Sequence, residues 1–526
     1  MDGIIQFGTT EDGFDSAPRR SRRSKGCLTC RKRKVKCDEA RPICPGFASR
    51  KGSPSTGLHS SSVVAKPQET QAISTYAATS SATLSNSYMS SGFSAFNLIT
   101  RSSIPPIMKL DGFRDGIVIS HLLLKFQAIV EGNTPGSTDA PTFAGIFLAG
   151  DRQSTAYTSG LSVAEALFGR MHFDEALIQH SAVLYGRGLK RLQSDLQNME
   201  KEEIGARSYM NLWSSTFLGI YEMMTASTPM SWLEHSRGLS ALTESLGPNA
   251  FQGMSARRLF YSNRLFIATA AIATKKRTFL ERHDWKVVPW AELEPLPKPV
   301  TILLQDIFCD IPGFMEDARR LTALSSSNHA EQKQDLRLLR NKIVNAYMET
   351  DFLRWSWEDE YPNVCWEVPV TPALKDAAGE SNPLPFATVL HFSNFDRATD
   401  AIYFNVIRLL LWELTDDVGL SPDTVLGATS GNKSGPFPNA LLPPGRGNTN
   451  DFALEICRTV QYLVQGDTDS LGTLVLMFPL RVASHHLQNY PDVLQWLRWV
   501  LSKLTAKKGF KLGDLSMYCD KKQLQC

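Results

Sequence analysis

From residue 113 onward, apolar side chains recur every three or four positions in many segments. This spacing places them on one face of an α-helix. The Pro/Gly-rich stretches 289–299 and 418–449 predict loops. The sequence therefore predicts a large all-α domain, or two packed helical lobes, over 113–526. The predicted helical segments are 117–130, 162–197, 204–226, 232–246, 255–282, 300–324, 334–357, 387–414, 451–463 and 493–504.

One of these helices carries signals at both ends. Ser231 followed by Glu234 matches a capping box at the start. Gly247-Pro248 is a stop signal at the end.

The first 112 residues have a different composition. Residues 1–18 are mixed and low in apolar content, which predicts a disordered tail. Residues 52–103 contain 21 Ser or Thr, and Lys66 and Glu69 are the charged residues between 52 and 100. Such a composition cannot bury a core, so we expect a flexible linker over 51–112.

A basic block separates the tail from the linker. Residues 17–37 hold ten Lys or Arg and no acidic residue, which leaves the rest of the chain with 46 basic against 53 acidic residues. A basic block on an otherwise acidic chain predicts a partner that is a polyanion. Its first part also fits a nuclear-import signal, and so a nuclear location. That flank consists of Arg19, Arg20, Arg22, Arg23 and Lys25.

Four cysteines lie in or next to this block, at Cys27, Cys30, Cys37 and Cys44. The spacing C-x2-C-x6-C-x6-C suits four thiolates around one zinc ion. A segment this small has no core of its own, so metal binding must supply most of its folding free energy, on the order of 10 kcal/mol. A thioredoxin-like motif would need a βαβ frame, and a disulfide framework would need a secretory route. Neither is visible in the sequence.

The stretch 26–44 closely resembles the DNA-binding domain of fungal zinc binuclear cluster transcription factors. The resemblance implies a module over 19–50 whose reading helix enters the major groove of double-stranded DNA at CGG-like half-sites. It gives Lys34 the base-reading role, and Lys can donate to the guanine acceptors. It implies backbone or flanking contacts by the neighbouring cations Arg31, Lys32, Arg33 and Lys36.

The match is incomplete after Cys44. The family's fifth and sixth cysteines are missing, and Phe47 stands where the next is expected. The intact family holds two zinc ions, whereas four cysteines support one. A splice form, a mistaken gene model and true loss are all left open.

The helical region resembles, more loosely, the regulatory domain that follows the cluster in many fungal regulators. This resemblance rests on Trp232-Leu233-Glu234-His235-Ser236-Arg237-Gly238-Leu239, on 242–248 and on Lys276-Arg277-Thr278-Phe279-Leu280. Together the two modules predict a mostly α protein with a small zinc-stabilised module, a disordered linker and a large helical regulatory domain.

Other candidate chemistry is weaker. No nucleotide-binding, zinc-protease or hydrolase motif appears, so we do not expect an enzyme, although an unfamiliar helical enzyme stays an alternative. His485-His486 could ligate a metal, but structural or exposed histidines are favoured, and His235 is expected to pack or cap. The remaining cysteines are expected to be buried or terminal thiols, and the six tryptophans core residues. The cysteines are Cys309, Cys365, Cys457, Cys519 and Cys526, and the tryptophans are Trp355, Trp357, Trp366, Trp412, Trp496 and Trp499.

These patterns favour a zinc-dependent, sequence-specific regulator of RNA polymerase II genes. The alternative is a truncated or splice-variant regulator that binds DNA weakly and acts through its helical domain. Packed helices commonly enclose ligand pockets, so a small-molecule effector is left open without assigned residues. Homo- or heterodimerisation is also left open, since no sustained heptad pattern follows the cysteines. No run of 18 or more apolar residues appears, so no membrane partner is expected.

Overall fold

The computed structural model describes the protein over 113–126, 140–149, 151–198, 205–225, 231–293, 298–323, 329–370, 384–421, 437–443, 445–465 and 469–508. All of these residues belong to one compact unit, 101–526. The predicted tail, zinc module and linker lie outside the described residues.

The described chain is mostly α-helical, which confirms the predicted fold class. Short 3₁₀ helices at Pro248–Phe251, Phe279–Glu281 and Val288–Leu293 connect some of the α-helices. The helices are α1 Arg114–Lys125, α2 Phe143–Leu148, α3 Thr155–His172, α4 Glu175–Gln197, α5 Ala206–Thr225, α6 Ser231–Leu246, α7 Met254–Thr274, α8 His283–Val287, α9 Val300–Ala323, α10 His329–Glu360, α11 Phe395–Asp417, α12 Thr449–Leu463, α13 Asp469–His486 and α14 Pro491–Lys508.

One departure from the all-α prediction is an antiparallel pair of strands, β1 Cys365–Pro369 and β2 Thr388–Phe392. The register pairs Cys365 with Phe392 and Pro369 with Thr388. The helix predicted over 387–414 was therefore wrong at its start. β-Branched and aromatic residues in β2 suit a pleated surface, and α12 packs against this strand.

The segment predicted as helical over 162–197 is two helices, and the break lies at Phe173. This residue has φ of 56°, and Asp174 then caps α4 by accepting a hydrogen bond from the backbone N–H of Leu177 at 3.1 Å. A left-handed residue followed by an Asp cap ends one helix and starts another. The two helices fold back and pack on each other.

The sequence predicted both ends of α6. The stop is confirmed, because the helix ends at Leu246 and Gly247 adopts φ of 74°. The capping box stays a prediction, because α6 begins at Ser231, directly after residues that the structure does not describe. Glu234 pairs with Arg237 at 2.5 Å on the exposed face.

The buried apolar side chains form one contiguous core across the described helices. Helix α3 packs on α4 and α5, α9 packs on α7, α10 and α11, and the C-terminal helix α14 packs back on α3. Gly472 allows one of the closest approaches, since a Cβ there would collide with the carbonyl oxygen of Leu463 at the end of α12. Helices α2 and α13, which carry part of this core, were not predicted.

Candidate functional site

The residues predicted to bind zinc and DNA lie outside the described residues. They are the cysteines at 27, 30, 37 and 44, the cations at 31–34 and 36, and the basic flank at 19–25. The geometry on which a site can be built is therefore that of the helical region.

A cavity of about 230 Å³ lies where α8, α9 and α10 meet. One wall comes from α9, whose residues at 303, 306, 307 and 310 follow the spacing of a single helical face. The opposite walls come from α8, from the residue at 298 and from α10. The lining residues are His283, Lys286, Val287, Lys298, Leu303, Asp306, Ile307, Asp310 and Glu349.

Both lysines of the cavity are engaged by aspartates. Lys298 Nζ donates to Asp306 Oδ2 at 2.8 Å, and it also donates to the backbone carbonyl of Lys286. Lys286 Nζ donates to Asp310 Oδ1 at 2.5 Å. Asp306 also forms a salt bridge with the fully buried Arg264 of α7. These pairs hold both aspartates and both ammonium groups in fixed positions.

The carboxyls of Asp310 and Glu349 both have pKa values raised above the ordinary values for their type. Desolvation raises the pKa of Asp310, against the opposing effect of Lys286. Desolvation also raises the pKa of Glu349, where Lys286 opposes and Asp310 and Asp306 add to the rise. Glu349 differs from the aspartates in that, among the described residues, it forms no ion pair or hydrogen bond.

The α8 wall is held by the segment that carried the second, weaker resemblance. Arg277 reaches Glu281 at 3.3 Å, Glu316 at 3.4 Å and Asp317 at 3.0 Å, which joins this segment to α9. Phe279 packs edge-on against the buried Trp285 of α8, with ring centroids 4.5 Å apart. The segment therefore fixes the position from which Lys286 and Val287 enter the cavity.

Sequence reasoning did not find this cavity. A signal was present on α9, where Asp306 and Asp310 interrupt the apolar face of a predicted helix. Charged residues on such a face need partners when the helix packs. The partners Lys286, Lys298 and Arg264 come from other segments, and no local spacing identifies them.

The histidine pair at 485–486 meets Glu413 of α11. Glu413 Oε1 lies 3.1 Å from His486 Nε2 and 3.7 Å from His485 Nδ1. Desolvation alone would raise the pKa of Glu413, but the two histidines outweigh it and lower the pKa to about 2. No set of three or more ligands arranged for a metal is found in the parts of the chain described. The arrangement fits a structural contact between α13 and α11.

His235 lies in a second polar cluster, between α4, α5 and α6. Its Nε2 is 3.0 Å from the hydroxyl of Tyr185, which donates to Glu222 at 2.6 Å. Burial lowers the pKa of His235 and thus favours the neutral ring. The histidine packs between helices, as the sequence predicted.

Two further predictions concern buried side chains. Cys309, Cys365 and Cys457 are buried free thiols, as predicted, and Cys519 and Cys526 lie outside the described residues. Trp357 and Trp496 are core residues, whereas Trp366 is 45% exposed, so the core prediction was wrong for Trp366.

Comparisons with known proteins add little to this geometry. No family model matches the chain, and no solved structure matches it. The chain is similar to the uncharacterized protein AN5342 of Emericella nidulans, with 30% identity over 196 residues. The matched part is 35% of this chain and 41% of that relative, so the chain spans less than half of the relative's length. In the helices that are described, none is long and apolar enough to cross a membrane.

Proposed function

We propose that this chain is a zinc-dependent, sequence-specific DNA-binding transcription regulator of fungal type, acting in the nucleus on GC-rich, CGG-like half-sites. One observation carries the proposal: four cysteines at the spacing C-x2-C-x6-C-x6-C, interleaved with a block of ten basic residues. A single zinc held by Cys27, Cys30, Cys37 and Cys44 would fix the intervening cations as one rigid surface.

The helical fold supports the second half of the proposal. A regulator of this type carries a large α-helical domain after its DNA-binding module, and the described part of 113–508 is mostly α-helical. In this proposal the helical region regulates and the N-terminal module reads DNA.

The test is fluorescence-anisotropy titration of the full chain with labelled duplexes that contain or lack CGG triplets, with zinc and with chelator. Lys34→Ala should relax the preference for the GC-rich duplex, since it removes a donor to guanine, at about 1–3 kcal/mol of discrimination. Arg31→Ala should weaken binding to all duplexes alike and reduce the salt slope by about one.

The matched control is Lys190→Ala, which removes an exposed cation of α4 instead. It should leave both the preference and the salt slope unchanged. Binding that is indifferent to chelator, or a Lys34→Ala variant with an unchanged preference, would contradict a metal-built DNA reader.

The missing fifth and sixth cysteines favour a second candidate function. In that case the chain is a variant regulator that acts through its helical domain, by binding an intact regulator or an effector. Co-precipitation with a full-length zinc-cluster regulator, together with the anisotropy titration, tests it. Sequence-specific DNA affinity of this chain would reject it.

A further inference from the structure

Helix α10 exposes a row of large apolar side chains on the side that faces away from the core. Leu338 is 53%, Met348 is 43% and Phe352 is 68% exposed. Ile343, on the opposite side of the same helix, is fully buried, and α9 and α11 pack on α10. The three exposed residues form the α10 stripe.

The α10 stripe has the spacing of a seam between two paired helices. Leu338 and Phe352 are fourteen positions apart, which is two heptads, and Met348 takes the d position when these two take the a position. Fourteen residues of α-helix extend about 21 Å. A long, narrow apolar surface of this kind suits a second helix that lies along it.

Charged residues beside the stripe select the direction of that second helix. Lys342 and Glu349 are exposed at e positions, on one side of the stripe, and Arg337 is exposed at a g position, on the other side. In a parallel pair of copies, Arg337 of each would lie beside Lys342 of the other, so that like charges meet twice. In an antiparallel pair, Lys342 of each lies beside Glu349 of the other, so that opposite charges meet twice.

The same antiparallel alignment also matches the apolar residues. The midpoint between 338 and 352 nearly coincides with the midpoint between 342 and 349. A two-fold axis at this level therefore sets Leu338 of each copy against Phe352 of the other while the opposite charges meet. A surface that is complementary to itself in this way is that of an isologous dimer.

We propose that two copies of this chain pair through the α10 stripe, with their α10 helices antiparallel, as a two-fold homodimer. The apolar contacts supply the affinity, and the charges fix the direction. One pair of helices is a small interface, so the dimer is weak, with a dissociation constant in the micromolar range. Its formation does not rest on the proposed regulator function, whereas its use in bringing two N-terminal modules to one DNA molecule does.

The first test is sedimentation equilibrium of the full chain at low salt, from about 1 to 100 µM. The unsubstituted chain should pass from monomer to dimer over this range. Phe352→Glu should stay monomeric throughout, because dimerisation would then bury carboxylates in the apolar contact. Phe352 is exposed, so this variant should fold, and an unchanged circular dichroism spectrum checks it.

The second test is charge reversal, which examines the antiparallel alignment. Lys342→Glu and Glu349→Lys each replace both attractive pairs by repulsive ones, and each should raise the dissociation constant about tenfold. An equimolar mixture of these two variants restores two attractive pairs in a heterodimer, so it should associate about as tightly as the unsubstituted chain. The matched control is Lys333→Glu, which reverses an exposed cation of α10 outside the stripe and should leave association unchanged.

A chain that stays monomeric over the whole concentration range would overturn the proposal, as would a dimer that persists in Phe352→Glu. A mixture that associates no more tightly than either charge-reversal variant alone would overturn it too. Because the sedimentation contains no DNA, a failure of the DNA-binding proposal would leave its outcome unaffected. A monomeric chain would equally leave the DNA-binding tests standing.

Discussion

Burial of Asp400 changes the pKa of its carboxyl group. It is 2% exposed on α11, its Oδ2 accepts from Trp357 Nε1 at 3.1 Å, and it lies 3.3 Å from Arg397. Desolvation is the largest influence and raises its pKa to about 6, although Arg397 and the Trp357 hydrogen bond oppose the rise. The folded protein therefore holds a proton on Asp400 at pH values where the unfolded chain has lost it.

The raised pKa of Asp400 predicts how the free energy of unfolding depends on pH. Because the folded-state pKa is raised above the ordinary value of 3.8, Asp400 lowers the free energy of unfolding as pH rises from about 4 to 6, by up to about 3 kcal/mol. Asp400→Asn keeps an acceptor for Trp357 and cannot ionise. Relative to the unsubstituted chain, this variant should gain stability between pH 4 and pH 7 in urea denaturation.

The control is Asp417→Asn, at the exposed end of the same helix, which should follow the unsubstituted chain. Parallel stability curves for Asp400→Asn and the unsubstituted chain would show that Asp400 is ionised throughout.

The sequence could not distinguish this aspartate from its neighbours. Asp396 and Asp400 lie in the same predicted segment, four positions apart, yet Asp396 is exposed and Asp400 is buried. Side chains four apart share one helical face, so periodicity treats them alike. The difference arises because Trp357 of α10 covers the later turn, and that contact comes from a residue 43 positions away.

At the level of elements, Asn439 joins the end of α10 to the start of β1. Its Oδ1 accepts from the backbone N–H groups of Val364 at 2.7 Å and Cys365 at 2.9 Å. Its Nδ2 donates to Glu358 Oε2 at 2.7 Å and to the carbonyl of Tyr361 at 2.9 Å. A side chain that makes four hydrogen bonds at once, two of them buried, acts as a structural link between these elements.

Asn439→Ala should therefore lower the free energy of unfolding by about 2–4 kcal/mol, because it leaves buried donors and acceptors without partners. Chemical denaturation monitored by circular dichroism measures the change. Asn345→Ala is the matched control, because Asn345 is exposed on α10 and Ala favours a helix. A loss for Asn439→Ala no larger than that of the control would mean that solvent replaces its hydrogen bonds.

Helices and loops were predicted correctly where the local sequence pattern was strong. Helix α9 was predicted over 300–324 and observed at Val300–Ala323, because its apolar face is long and regular. Asn439 lies in the stretch 418–449 that was predicted as a loop, and its non-helical backbone agrees with that prediction. Its burial did not follow from the Pro/Gly composition, because the partners at 358 and 364–365 are remote in sequence.

At the scale of the molecule, the described helices share one apolar core. The C-terminal helix α14 packs on α3. The sequence predicted the mostly α class from periodicity. It could not predict the cavity, whose charged lining comes from 286, 298, 306, 310 and 349. Which charged residues meet depends on which helices pack together. The apolar periodicity of a single helix does not determine its packing partners.

The proposed zinc module makes a prediction about the stability of the helical unit. The zinc ligands proposed here lie at 27–44, outside the unit 101–526 that holds the core. In this proposal, metal binding supplies the folding free energy of the short cysteine segment, because that is the part that must fold around the ion. Chelator should therefore abolish specific DNA binding and shift the main thermal transition of the full chain by less than about 2 °C. Differential scanning calorimetry with zinc and with chelator measures this, and Cys37→Ser, studied in parallel, should reproduce the chelator result. A large fall in the main transition on chelation would show that the metal supports the helical core itself.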